Sequence, residues 1–558
     1  VRNEDRALGG EMDTNEGQTP QSDEARLAEL GYRQELSRVM TLFENFSVAF
    51  CYLSPVVGIY SLYALSLGTA GPAFIWLIPI VVIGQLFVAL IFGELGSSYP
   101  IAGALFQWSK RLMGTGYGWW VGWMYGWALI ITVASVDTGV PGYFADLVNN
   151  LFGTHLNGSS PNTILLISTL YLVGQTLFNV YGVRFLGSIS RIGTWFEVLG
   201  TVGLAIVLLA FATHHSLGYL FTTQGTTHLK TSPLGVNFNG NWWAGAALIA
   251  VLGPVYIFYG FESAGDVAEE VVNASRHVPR AMISALVFGG IVSMILVGAL
   301  SLAIPSGPKG FAMAATQGVP GILQSAISAK FFQDLILFII CFAFFSCGLA
   351  VQGAGARLVF SYARDRAVPG HRVLRRISPR RKTPVAAILL AAVIPELLSF
   401  LVHFTPSKPI HIGFIVYPAH VNALTALVSF GVSGIYISFQ MVVLAYLIAR
   451  LRGWKAEGSF QLGNWGYLVA VLGLIYGVGM IVNIIAPTGL TSPRGALFNF
   501  DWLTILVDFI IIVIGALYFV FGRPHHAIRA ADADRRAEAA ANNGDAATGN
   551  SGDAVTSD

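Results

Sequence analysis

The feature that most restricts this chain is the recurrence of apolar stretches about 20 residues long, the length a helix needs to cross the hydrocarbon of a bilayer. They fall near residues 46–68, 72–94, 117–147, 162–181, 187–212, 244–271, 280–305, 331–361, 384–402, 422–449, 466–486 and 500–522, numbered here spans 1 to 12. Of the 558 residues 54% are hydrophobic and only 11% are charged, whereas a soluble domain carries about 25% charge. A water-soluble fold of this size could not hide so much apolar surface. The expected fold class is therefore an all-α integral membrane protein with 12 transmembrane helices.

Basic residues set the orientation, because cytoplasmic loops carry an excess of Lys and Arg. With the N-terminus placed inside, the inner segments hold Lys110, Arg111, Arg184, Arg191, Arg276, Arg280, a dense run from Arg364 to Lys382, and Arg450, Arg452 and Lys455. The outer segments hold only Lys230, Lys309, Lys330, Lys408 and Arg494. This asymmetry fits an even number of crossings with both termini cytoplasmic, and the plasma membrane is the expected location. The run at 364–383 reads as a topological anchor, with lipid head-group binding as the sharper alternative. Residues 1–41 are polar and lack the apolar core of a signal peptide, and Glu24–Met40 could form a short amphipathic helix. The Ala/Asp/Asn/Gly-rich segment 524–558 is expected to be disordered beyond Arg536.

Several function classes drop out. The net charge of +2 gives no reason to expect nucleic acid. No phosphate-binding loop, nucleophile elbow or H-E-x-x-H pattern is present, so neither ATP-driven transport nor an enzyme is expected. The three cysteines, Cys51, Cys341 and Cys347, lie in apolar runs, and His403, His411 and His420 are irregularly spaced. Neither set forms a metal site or points to a cofactor.

Two spans are interrupted. Span 1 has Ser54, Pro55, Val56, Val57 and Gly58 at its centre; span 6 has Pro254 and then Phe258, Tyr259, Gly260, Phe261 and Glu262. Proline removes an amide and breaks the turn before it, and glycine admits backbone geometry closed to other residues. Either break alone is ordinary kinking. Together they head two blocks of similar shape, spans 1–5 and spans 6–10, and paired broken helices in corresponding halves mark a transporter site. Because five is odd, the second block would sit inverted relative to the first. A break in span 1 exposes the amides of Val56, Val57 and Gly58 at a positive helix end, where a carboxylate fits. A break in span 6 frees carbonyls near Ile257–Tyr259, where an ammonium fits beside Glu262. One zwitterion could bridge both, walled by Phe258, Tyr259 and Phe261.

The stretch Ser54–Tyr60 resembles the first helix of the amino acid–polyamine–organocation superfamily of permeases. Gly71-Pro72-Ala73 with Trp76, and Gly93–Gly103, resemble its second helix; Tyr259–Glu262, Glu269-Glu270 and Asn273–Arg280 its sixth helix and following loop; Arg357, Ala363-Arg364-Asp365 and Pro369 the end of its eighth. The match runs from about residue 42 to 455 and is nearest the amino acid/choline transporter branch. The resemblance implies a leucine-transporter-type fold, with a five-plus-five inverted repeat (42–455) and two trailing helices (456–523). It also implies uptake or exchange of an amino acid, 4-aminobutyrate, choline or a similar amine by alternating access. It carries Pro55–Gly58 onto the substrate-carboxylate segment and Phe258, Tyr259, Gly260 and Glu262 onto the amine-side segment. Some relatives have a lysine in the fifth helix linked to proton coupling; this chain has Glu197 there.

Ionisable groups at membrane depth are functional candidates by default. Glu262 is a site or gating candidate. Asp137 is expected in a structural pair or vestibule, Glu197 is a proton-coupling or buried structural carboxylate, and Glu396 is expected to pack against a neighbouring helix. Ser346 is the one side chain that could serve a sodium site between spans 1 and 8. Glu94, Arg276, Arg280, Arg357 and Asp365 read as a cytoplasmic gate and anchor network. The reading is a secondary transporter, proton-coupled or exchanging. The alternatives are a non-transporting sensor with the same fold or a sodium-coupled amine carrier.

Overall fold

The computed structural model of the chain describes residues 23–224, 226, 241–243, 245–403, 410–412, 415–417, 423–485 and 503–549. Lys230, Lys408, Arg494 and His420, and the side chains of His403 and His411, lie outside the described residues. Ten helices among the described residues are long and apolar enough to cross a membrane, corresponding to spans 1–5, 7, 8 and 10–12. Spans 6 and 9 are shorter apolar helices, Ala246–Ile257 and Val385–Phe400. A backbone in lipid must satisfy its polar groups internally, and a helix does so within one segment.

Burial sorts the spans into layers. In the most apolar window of Leu42–Ala70, 83% of residues are buried, against 22% in Trp465–Ile485 and 17% in Thr504–Gly522. Span 1 is therefore central and spans 11 and 12 are peripheral. Large apolar side chains such as Leu166, Leu170, Ile206, Ile475 and Phe509 are exposed on the outer helices, as a lipid-facing surface requires.

Several elements depart from the sequence expectation. Span 3 ends as Thr115–Gly139 and a separate helix, Pro141–Phe152, follows, because Pro141 has no amide to continue the first ladder. Span 5 runs through a π-helical turn at Leu199–Gly203. Helix Ala104–Met113 lies between spans 2 and 3, and Pro308–Ala326 between spans 7 and 8. The all-α architecture is interrupted by a small antiparallel ribbon, Ile410–Ile412 with Ile415–Tyr417.

Both ends of the chain correct their expected form. The helix foreseen over 24–40 is confined to Asp23–Glu29. Gly31 then turns with φ +82°, and the segment continues extended until Val39 and Met40 donate their amides to the Glu270 carbonyl at 2.9 and 2.8 Å. Beyond Arg536, where disorder is expected, the helix Pro524–Gly549 continues. Its Ala-rich composition favours helix, and Arg535 is tied to Asp365 at 3.1 Å. Asp23 caps the amides of Asn273 and Ala274. The described N-terminal segment and the C-terminal helix thus meet, with Arg535 lying over the Tyr32 ring at 4.6 Å.

Candidate substrate site at two helix breaks

The span 1 break is one residue wide. Helix Leu42–Leu53 ends and helix Pro55–Ala70 begins at Ser54, held in the left-handed region at φ 43°, ψ 85°. Pro55 occupies the first position of the second helix, where its missing amide is harmless. The three amides expected to be free here are all taken. Val57 donates to Ser54 Oγ at 3.1 Å, Gly58 donates to the Ser54 carbonyl at 3.1 Å, and Val56 donates to Glu197 Oε2 at 3.0 Å. Ser54 Oγ donates in turn to Glu197 Oε1. A helix N-terminus attracts an acidic group, and the one it holds is the protein's own Glu197 side chain.

Span 5 delivers Glu197 through close packing. Ser190, Gly193, Thr194 and Glu197 form one buried helical face. Cys51 Sγ donates to the Ser190 carbonyl at 3.1 Å, and a Cβ on Gly193 would come within 2.6 Å of Ser346. Ser346 itself donates to the Ala343 carbonyl of its own helix at 3.0 Å.

The span 6 break is wider. Helix Leu252–Ile257 ends at Phe258, Gly260 takes φ +100°, and the chain resumes as Ser263–Asp266. Glu262 turns back to accept the Gly260 amide at 2.8 Å. As expected for an interrupted helix, the carbonyls of Ile257, Phe258 and Tyr259 accept no hydrogen bond among the described residues. The two breaks lie side by side. A Cβ on Gly58 would stand 2.3 Å from Ile257 Cγ1, and one on Gly260 would stand 2.7 Å from Tyr52 and 2.9 Å from the Leu53 amide. Tyr259 meets Tyr52 edge-on at 5.9 Å, while Phe261 lies with Phe92 and Phe439 of spans 2 and 10.

Two participants were not foreseen. Tyr125 of span 3 lies 2.7 Å from Asp266 Oδ2 and 3.3 Å from Glu262 Oε1. Its single hydroxyl proton can serve only one of these carboxylates at a time. Asp266 sits inside the span 6 stretch, so a search for charges at membrane depth would have found it; nothing in the sequence singles out Tyr125. Asp137 is buried away from these contacts and accepts from Gln175 of span 4 at 2.7 Å. Glu396 accepts from Thr169 of span 4 at 2.6 Å, the inter-helix packing expected of it.

Where the described N-terminal segment meets the C-terminal helix, Arg357, Arg364, Lys110 and Arg535 gather around the carboxylates of Glu269, Glu270 and Asp365. Arg357 grips Glu270 through two bonds of 3.1 Å, Arg364 grips Glu269 at 2.7 and 3.0 Å, and Lys110 meets Asp365 at 2.5 Å. Tyr32 donates to Asp365 and lies under Arg364 and Arg535, 4.1 and 4.6 Å from its ring centre. Glu94 joins Arg450 at 2.7 Å in a separate buried pair. Arg276 and Arg280 take no part in these ion pairs among the described residues.

Burial alone would raise the Asp365 carboxyl, but Lys110, Arg535 and Arg364 around it hold it down at about 2. An ordinary aspartate titrates near ~3.9. The stabilisation from this pairing is therefore complete above about pH 4 and is lost as pH falls toward the folded value. Asp365→Asn is expected to melt below the parent at neutral pH, with the gap closing under acid. A gap of equal size at every pH would assign the loss to packing instead.

With two broken helices apposed in the buried centre, comparison with known proteins decides the family. The sequence profile of the family described as Amino acid permease matches residues 43–507. This chain belongs to that family. It is similar to the amino-acid permease BAT1 of Arabidopsis thaliana, 26% identical over 489 residues covering 84% of this chain and 89% of the relative. The uncharacterized amino-acid permease C584.13 of Schizosaccharomyces pombe is 29% identical over 461 residues, covering 80% of this chain and 77% of the relative. A putative polyamine transporter of Candida albicans is 23% identical over 511 residues, covering 89% and 87%. The chain is thus a multi-pass membrane permease for a small-molecule substrate, within the amino acid–polyamine–organocation superfamily expected from its motifs.

Proposed function

We propose that this permease is a secondary active transporter that moves a small amino acid or related amine across the plasma membrane by alternating access. The observation that carries this reading is the side-by-side placement of the span 1 and span 6 breaks, packed together at Gly58 and Ile257 and bordered by buried carboxylates. Counting the shorter helices of spans 6 and 9, the chain crosses twelve times, with spans 1–5 and 6–10 as inverted repeats, spans 11 and 12 outside them, and both termini cytoplasmic.

In this reading Ser54, Pro55, Val56, Val57 and Gly58 border the solute on one side. Phe258, Tyr259, Gly260, Phe261 and Glu262 border it on the other, with Glu262 and the free carbonyls meeting its ammonium. The relative named as a polyamine transporter supports an amine cargo. Glu197, Asp137 and Ser346 are the coupling or gating candidates, and transport runs with protons or by exchange. The cluster around Arg357, Arg364 and Lys110 closes the cytoplasmic side.

Uptake of radiolabelled amino acids and amines into proteoliposomes, with and without a pH gradient and with counter-substrate inside, tests the proposal. No flux and no competition by any of them would sink it; binding without flux would make the chain a sensor. Glu262→Gln is expected to raise the KM for an amine by about tenfold to a hundredfold, the usual worth of a hydrogen bond to a charged group. An unchanged KM at every pH would remove Glu262 from the site.

A further inference from the structure

The two ends of the site are not equally available. At the span 1 break every donor of the helix terminus is used: the amides of Val56, Val57 and Gly58 and the hydroxyl of Ser54 are all committed within the chain. The group filling this anion receptor is a carboxylate on a rigid helix, buried from solvent. At the span 6 break acceptors are in excess. Three carbonyls accept nothing, and Asp266 Oδ1 is buried without a partner among the described residues. Glu262 and Asp266, both fully buried, share the one proton of Tyr125.

Among the described residues no basic side chain bonds to Glu262 or Asp266, and Arg357, a cation within electrostatic reach of Asp266, is bound through Nε and Nη2 to Glu270 and through Nη1 to the Gly353 carbonyl. Tyr52, whose hydroxyl is buried without a partner among the described residues, also stands within electrostatic reach of both acids. Two carboxylates in a low-dielectric centre call for a compensating cation or proton. The span 6 end therefore presents carboxyls and carbonyls suited to a cation, while the only uncommitted donors beside it among the described residues are the neutral hydroxyls of Tyr52 and Tyr259.

We infer that Glu197 is a tethered stand-in for a substrate carboxylate, and that the cargo is a cationic amine with no free carboxylate. This rests on the transporter reading and narrows its substrate class. A zwitterion entering the site would have to expel Glu197 from Ser54 and Val56, or hold its carboxylate on the neutral Tyr52 and Tyr259 hydroxyls alone, beside the acidic Glu262 and Asp266. A diamine meets neither obstacle, and its second ammonium has Asp266 to pair with. Glu197 is thus a specificity-determining residue that excludes amino acids without touching the amine.

The test uses the purified full chain and two matched pairs of probes: putrescine against 4-aminobutyrate, and ethanolamine against glycine. Ligands that bind the folded state raise the melting temperature with concentration. The amine of each pair is expected to bind at least about tenfold more tightly than its carboxylate-bearing partner. Glu197→Ala is expected to narrow that ratio by freeing the Val56 amide. Glu197→Gln, which keeps the shape and removes the charge, narrows it as well if the alanine variant does not fold. Equal or tighter binding of 4-aminobutyrate and glycine by the unmodified chain overturns this inference and leaves the transporter reading standing. Binding of none of the four, with no flux of any amine or amino acid, overturns both.

Discussion

Arg357→Ala is expected to destabilise the protein by about 3–5 kcal/mol, the usual penalty for removing one partner of a buried ion pair. Arg357 and Glu270 are both buried and joined by two parallel bonds of 3.1 Å. Deleting the guanidinium strands a carboxylate that has no water to turn to. The loss would be read as a lower melting temperature of the purified protein and a smaller folded fraction in the membrane. Replacing both residues with Met is expected to recover most of the stability, because an apolar pair of similar volume leaves no charge unpaired. A double variant as unstable as the single one would show that the pair acts through geometry rather than charge. The same double variant also tests the proposal that this cluster closes one side of the transporter: if it does, impermeant probes should bind from that side more readily.

Gly58→Leu is expected to abolish substrate binding and transport. A Cβ there would lie 2.3 Å from Ile257 Cγ1 and 3.2 Å from its Cα, so the new side chain must push the two breaks apart. Overpacking of this kind costs about 1–3 kcal/mol, small enough for the bundle to survive while the site does not. The measurement pairs the melting curve with and without amine: a folded protein whose melting temperature no longer responds to ligand is the expected result. Gly479→Ala in span 11 supplies the control. Nothing lies within 4 Å of a Cβ there, so transport should be unchanged. A ligand response in Gly58→Leu equal to that of the parent would take span 1 out of the site.

How much of this was legible beforehand depends on the kind of interaction. The spans were legible because lipid forces each crossing to be long, apolar and internally bonded. The breaks were legible because Pro55, Gly58 and Gly260 are the residues a helix cannot absorb quietly. The partners were not. Nothing local tells that Glu197 caps the span 1 break, since its acceptors and donors lie about 140 residues apart. The same holds for Tyr125, which looks like any aromatic of span 3 until span 6 is laid beside it. The apolar spacing of the N-terminal segment suits a helix, whereas docking against Glu270 and Val271 holds Val39 and Met40 by backbone bonds and a single isolated bridge between Met40 and Val271 instead.

By itself, then, the sequence determined the membrane environment, the helical class, the places where two helices must break and which of them carries an acid. Those follow from chain-local physics: hydrophobic length, a missing amide, a missing Cβ. Only the tertiary structure decided which of the two breaks keeps uncommitted backbone groups. The sequence suggests that the span 1 amides await a substrate carboxylate, whereas the fold commits the Val56 amide to Glu197 and those of Val57 and Gly58 to Ser54, because a helix terminus buried in the bundle takes the nearest acceptors that packing provides.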